Sequence, residues 1–305
     1  MESIVSFCFA ILAAPFLSAI IMKVKAYIAG RKGPPILIKY YTLAKLFKKG
    51  SVYSTSSSFV FKLGPVVSFC SVVMVLLFFP FAGIKPLLSF HGDVIILLYL
   101  MGLGRFFTII AALDTASPFE GMGAAREAYF STLAEATLFV ILLLFYRLNG
   151  SFSFAAFFTG PTAINLWSPV ASLLLLVIFA LFIVLLTENS RVPVDDPATH
   201  LELTMIHEVM ILDHSGPDLA LIELGAYLKL FFYSAFITCL LYPFQLDNVY
   251  LNGLIFYGIM GLIYVFVGIT ESIMARYKMD LVPKFILTSF ALVFFAAILT
   301  MEFVQ

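Results

Sequence analysis

PVASLLLLVIFALFIVLLT, residues 169–187, followed by ENSRVPVDDPATHLEL, residues 188–203, decides how this chain is built. The first stretch is apolar over about 19 residues, enough to cross a bilayer as one helix. At its edge Glu188, Arg191, Pro193, Asp195 and Asp196 crowd into nine positions. Ionisable groups beside lipid are costly and are kept where they do something, so this is more than a connector.

Seven further runs of the same kind lie at roughly 3–22, 63–82, 93–113, 124–146, 219–242, 250–271 and 284–302. In lipid a run of this length folds as a helix, because its backbone polar groups find no other partner. The alternating ten-residue segments of a β-barrel are absent. The sequence therefore predicts an all-α polytopic membrane protein: one integral membrane domain over residues 1–305, about eight transmembrane helices and a cytoplasmic amphipathic helix. Composition agrees. Hydrophobic residues make up 62% and charged residues 12%, where a soluble domain is about half apolar and a quarter charged. Eighteen basic residues balance eighteen acidic ones, which implies no nucleic-acid partner. Cys8, Cys70 and Cys239 sit inside apolar runs and form no C-x-x-C pair. Their spacing supports neither zinc nor an iron–sulfur cluster, so any redox centre is expected on a partner. No internal repeat supports an inverted-repeat transporter.

Lys and Arg set the expected orientation. Lys23, Lys25, Arg31, Lys32, Lys39, Lys45, Lys48, Lys49 and Lys62 share one loop region, and Arg126, Arg191, Arg276, Lys278 and Lys284 fall on the same side. Only Lys85 and Arg147 fall opposite. This bias predicts large cytoplasmic loops and both termini outside. The first apolar run lacks a basic leader and reads as a retained span. Residues 36–48, ILIKYYTLAKLFK, have helical apolar spacing with interspersed lysines, as in a helix lying on the membrane surface or under a partner. Arg31-Lys32-Gly33-Pro34-Pro35 before it reads as a rigid basic turn. Segment 188–218 carries Glu188, Asp195, Asp196, Glu202, Glu208, Asp213 and Asp218. That acidity runs against the positive-inside trend and predicts a proton-accessible or partner-facing surface.

Charges also fall inside the spans: Arg105, Asp114, Arg126, Glu127, Glu135, Glu188, Glu223, Lys229 and Glu271. Each costs about 2.5–3.5 kcal/mol facing lipid at a helix centre, so each must pair, face the interior or touch water. One reading is a buried relay in which desolvation and neighbouring cations tune carboxyl groups. The other is structural ion pairing. Arg105 and Glu271 divide evenly between the relay and the structural reading, since residues close to span ends can snorkel to water. Glu223 and Lys229, six apart, are expected to seek partners on other helices. His200, His207 and His214 recur every seven residues. Without a completed H-E-x-x-H they favour proton exchange or solvation over a metal site.

Glu188-x-x-Arg191-x-Pro193-x-Asp195 with Glu202-Leu203, Gly123-x-x-Arg126 followed by Glu135, and Arg31-x-Gly33-Pro34 together resemble the respiratory complex I subunit 1 family over essentially the whole chain. Leu113-Asp114-Thr115-Ala116-Ser117-Pro118-Phe119 with Gly123-Ala124-Ala125-Arg126-Glu127 resembles the branch found in membrane-bound nickel–iron hydrogenases of the formate hydrogenlyase and hydrogenase-4 type. Lys229 and Glu271-Ser272-x-Met274-Ala275-Arg276 agree with that branch. Asp213-His214-Ser215-Gly216 departs from the complex I pattern, so a quinone-contact role is not carried onto it.

The resemblance implies a subunit without redox groups of its own in a prokaryotic cytoplasmic membrane. Its loops would dock a small iron–sulfur subunit and a large catalytic subunit, which hold the clusters and a possible nickel–iron centre. Glu188, Arg191, Asp195, Glu202 and Asp213 would form the coupling loop. Asp114, Glu127, Glu135, Glu223 and Lys229 would relay protons or sodium toward antiporter-like subunits. Arg126 and Arg191 would tune the acids, and Arg31 would serve docking. A quinone-site subunit of a true complex I, a stand-alone transporter and a plain anchor remain as alternatives.

Overall fold

The computed structural model describes residues 2–159, 163–167, 171–196, 205–243 and 248–303. Among these, eight helices are long and apolar enough to cross a membrane, and the chain is a polytopic all-α membrane protein. The elements in order are α1 (Glu2–Ile28), α2 (Ile38–Phe47), α3 (Phe59–Phe78), α4 (Asp93–Asp114), α5 (Pro118–Asn149) and α6 (Phe154–Phe158). They continue with α7 (Ala171–Glu188), α8 (His207–Met210), α9 (Gly216–Leu241), α10 (Val249–Ile273) and α11 (Val282–Phe303). The surface helix expected over 36–48 is α2, which packs against α1 and α9.

Several helices outrun their apolar runs because their ends are set by caps and prolines, which hydropathy does not register. Pro118 opens α5 and Gly150, at φ +74°, closes it, a left-handed position that suits glycine. The Ser58 hydroxyl accepts the Val60 N–H and starts α3 four residues before the apolar run. Asn248 caps α10 in the same way.

Helix α9 is the central post. About 78% of its apolar window is buried inside the protein, and it packs against α1, α2, α3, α7 and α10. Helix α4 lies against α3 and α5, and α11 covers α5 and α7. Burial in lipid gives little drive for helices to associate, so close packing must supply it. At the α3–α4 crossing a Cβ on Gly64 would fall 2.6 Å from that of Ala111; the missing side chain is what permits the approach. At one end of the bundle, α3, α5, α6 and α9 interlock through phenylalanines. Phe236 lies 5.6–6.1 Å, ring to ring, from Phe79, Phe145, Phe154 and Phe158. Charged side chains gather at the other end, where the loops after α7 and α10 meet.

Candidate functional site

Four spans contribute one charge each to a single buried cluster. Arg105 stands mid-helix in α4 and does not snorkel. Its Nη2 donates to both oxygens of Glu188 at 2.7 and 2.9 Å. Its Nη1 donates to Glu135 of α5. Lys229 of α9 reaches the same Glu188 at 2.8 Å. The side chain of Glu188 is 0% exposed and that of Glu135 is 38% exposed. A carboxylate so enclosed is tolerable only because two cations meet it.

Glu188 is the last residue of α7, and the chain beyond it is fastened twice more. Arg191 Nη1 donates to Glu271 of α10 at 3.2 Å, and Lys25 of α1 approaches the same carboxylate at 3.0 Å. Glu271, with its side chain almost wholly covered, is thus paired rather than snorkelling. Asp195 receives Arg276 at 2.8 Å and accepts the backbone N–H groups of Ile206 and His207 at 3.0 and 3.2 Å. The segment that returns, 205–210, is seated on α5. A Cβ on Gly123 would lie 2.9 Å from the Ile206 carbonyl oxygen and would run into Val209. One turn further, Arg126 donates to the Met205 carbonyl at 3.1 Å and to Met122 Sδ at 3.0 Å. The G-x-x-R pattern is therefore a seat for the loop, and among the described residues Arg126 contacts a carbonyl and a sulfur.

The other expected residues lie apart from this cluster. Asp114 accepts the Ser58 N–H at 2.6 Å, tying α4 to the start of α3. Glu223 takes its partner from its own helix, the Tyr227 hydroxyl at 2.5 Å, because the four-residue spacing brings the two side chains together. Lys39 of α2 lies 5.0 Å over the Tyr227 ring, and burial lowers its ammonium pKa. The backbone N–H of Asp213 donates to Glu120, a buried acid, at 3.2 Å. His214 stacks on Phe61 at 4.0 Å, and burial pushes its imidazole down to about 4. Arg31 is exposed beyond α1. Glu202, Leu203 and His200 lie outside the described residues.

Beside the cluster is a cavity of about 70 Å³ bounded by Arg105, Glu127, Glu188, Asn189, His207 and Lys229. It joins the buried charges to the returning loop. Among the described residues no cluster of His, Cys, Asp and Glu side chains is placed to hold a metal ion.

Sequence reasoning leaves Arg105 and Glu271 at even odds and assigns no site role to Glu120, Lys25 or Arg276. The signal for Arg105 is its position: an arginine near the middle of a 22-residue helix has no short route to water. The partners of Glu271 come from α1 and from the loop after α7, which no spacing could reveal.

This fold and site define a polytopic helical membrane subunit whose buried ion pairs are tied to a structured loop. A family model described as NADH dehydrogenase matches residues 1–302, and the chain belongs to that complex I subunit 1-like family. Hydrogenase-4 component C of Escherichia coli (strain K12) is 34% identical over 233 residues, covering 75% of this chain and 71% of that protein. Formate hydrogenlyase subunit 4 of the same organism is 29% identical over 293 residues, covering 93% and 92%. A subunit of the NADH-quinone oxidoreductase of Pelagibacter ubique (strain HTCC1062) is 25% identical over 277 residues, covering 85% and 80%. A chain in the structure of the membrane-bound sulfane sulfur reductase, an archaeal respiratory membrane complex, superposes with a TM-score of 0.81 at 20% identity, covering 97% of each chain. That last likeness is one of fold.

Proposed function

We propose that this chain is the membrane subunit of a multisubunit complex of the group 4 nickel–iron hydrogenase or formate hydrogenlyase type. In that role it couples electron transfer in the soluble arm to proton translocation. The observation that carries the reading is the continuity of Glu188. One side chain closes the buried cluster, and the next seven residues are fastened to α10 and to the chain beyond it through Arg191 and Asp195. A displacement of that loop acts directly on the Glu188 contacts with Arg105 and Lys229. Weakening them frees a buried carboxylate to take a proton.

The loop-bearing end, with the basic stretch 23–62 and α2, faces the cytoplasm in this reading and docks the small iron–sulfur and large catalytic subunits. Both termini lie outside, and the membrane is a prokaryotic cytoplasmic membrane. The electron carriers belong to those partners. Glu135 supports a lateral neighbour: a carboxylate 38% exposed on a membrane-spanning helix is too costly to leave against lipid. An antiporter-like subunit covers it and receives the proton.

Purification of the native complex through this chain tests the proposal. Nickel, iron–sulfur subunits and hydrogen production or uptake are expected. A chain that purifies alone contradicts it. A quinone-linked complex is the second reading, favoured by an open apolar groove of about 510 Å³ where Leu12 and Phe16 of α1 face Leu37 and Tyr41 at α2. Bound quinone without nickel would select that reading.

A further inference from the structure

At the end of the bundle away from the loop cluster, an open groove of about 1050 Å³ runs between the first turns of α1 and α10. Its α1 wall runs from Glu2 to Phe9 and its α10 wall from Val249 to Tyr257. Each wall is about 10–12 Å long, since a helix rises about 1.5 Å per residue. The chemistry changes along that length. Glu2, Asn248 and the 90% exposed Tyr250 stand at the membrane edge, where polar and aromatic groups meet both water and lipid. Val5 and Leu254 make the middle apolar. At the deep end the rings of Phe9 and Tyr257 meet edge to face at 4.8 Å.

Two features set this groove apart from a plain lipid-facing surface. One is the space over Gly253, which lines it at mid-length. A Cβ added there meets no atom within 4 Å, so the helix surface is level and the groove stays open. The other is charge. Glu2 lies on the α1 wall. Lys85 follows Ile84 of the same groove and shares a small space of about 10 Å³ with Ser6, which lines both. Glu2 and Lys85 are exposed, and among the described residues neither has an ion-pair partner. An acid and a base thus stand unpaired at the polar end of an apolar groove.

We propose that the groove between α1 and α10 is a binding site for one zwitterionic aminophospholipid of the adjoining leaflet. Its ammonium group meets Glu2, its phosphate meets Lys85, and an acyl chain lies over Gly253 toward the Phe9–Tyr257 pair. An anionic headgroup would leave Glu2 facing a like charge, and a cationic amphiphile would do the same to Lys85. A partner's transmembrane helix fits less well, because it spans about 30 Å and these walls run for less than half of that. The same two helices are joined at their other ends by Lys25 and Glu271. The lipid therefore closes the pair where protein contacts leave it open. The site is independent of the redox partner and of the coupling role proposed above.

Lipid retention by the native complex tests this. The complex is purified in mild detergent and placed in nanodiscs holding equal amounts of phosphatidylethanolamine and phosphatidylglycerol. It is then re-extracted, and the lipids that stay bound are counted by mass spectrometry. One phosphatidylethanolamine per complex should be lost in Gly253→Phe, whose side chain starts in open space and fills the groove. Lys85→Gln and Glu2→Gln change exposed residues and leave the packing alone. Each should lower phosphatidylethanolamine retention about twofold to fivefold, the effect of one solvent-exposed ion pair. Equal counts in Gly253→Phe and the unaltered protein overturn the proposal. So does phosphatidylglycerol held as well as phosphatidylethanolamine at this site, or loss of another subunit from Gly253→Phe, which would mark a partner's helix as the occupant. If Gly253→Phe does not assemble, Lys85→Gln decides: an unchanged phosphatidylethanolamine count overturns the proposal.

Discussion

Two ends of one bundle are held by different forces, and helices α5 and α9 run through both. At one end Phe145 and Phe236 pack ring against ring at 5.9 Å. At the other, Glu135 of α5 and Lys229 of α9 are joined through Arg105 and Glu188. Aromatic packing has one good arrangement and does not depend on charge. An ion-pair cluster holds only while each member keeps its charge. The same helices are therefore held by aromatic packing at one end and by ion pairs at the other.

Removing one member of each set tests that difference. Glu188→Ala should have the largest effect, about 3–5 kcal/mol, because it removes the Glu188 partner of Lys229 and leaves Arg105 with Glu135 alone. It is read as lost thermal stability of the solubilised protein. Phe236→Ala should cost about 3 kcal/mol by leaving a cavity among four rings. It should leave the ratio of ions moved to electrons transferred unchanged. A changed ratio in Phe236→Ala would mean that the two ends are not separable.

A smaller effect lies where the loop meets the bundle. Burial against Phe61 holds the His214 imidazole near 4, below its usual 6.5. The folded state then binds fewer protons than the unfolded state between those values. The stability is fully present above pH 6.5, declines as pH falls and is lost by about pH 4. At pH 5 the loss is about 2 kcal/mol. His214→Phe should flatten that slope in thermal melts taken between pH 7 and 4. A slope that survives the substitution would assign it to other groups.

The eight spans were legible because lipid imposes long apolar helices, and α2 was legible from its spaced lysines. The loop residues Glu188, Arg191 and Asp195 stood out because charge beside an apolar run has few structural excuses. Partner choice was not legible. Asp114 and Glu223 carry the same chemistry as Glu135, yet Asp114 meets the first turn of α3 and Glu223 meets a tyrosine on its own helix. Only three-dimensional packing separates them from the cluster. Glycine at position 123 signals a close approach, but the sequence does not say that the approaching strand of chain is 205–210.

The most direct measurement is the number of ions moved per electron by the native complex in sealed vesicles, with Glu135→Gln against the unaltered protein. Glu188 still holds Arg105 in that variant, so the fold should survive. If the buried charges couple turnover to ion movement, electron transfer will continue while the ratio falls. An unchanged ratio at full turnover would show that the cluster is structural and that this chain anchors its complex without driving ions.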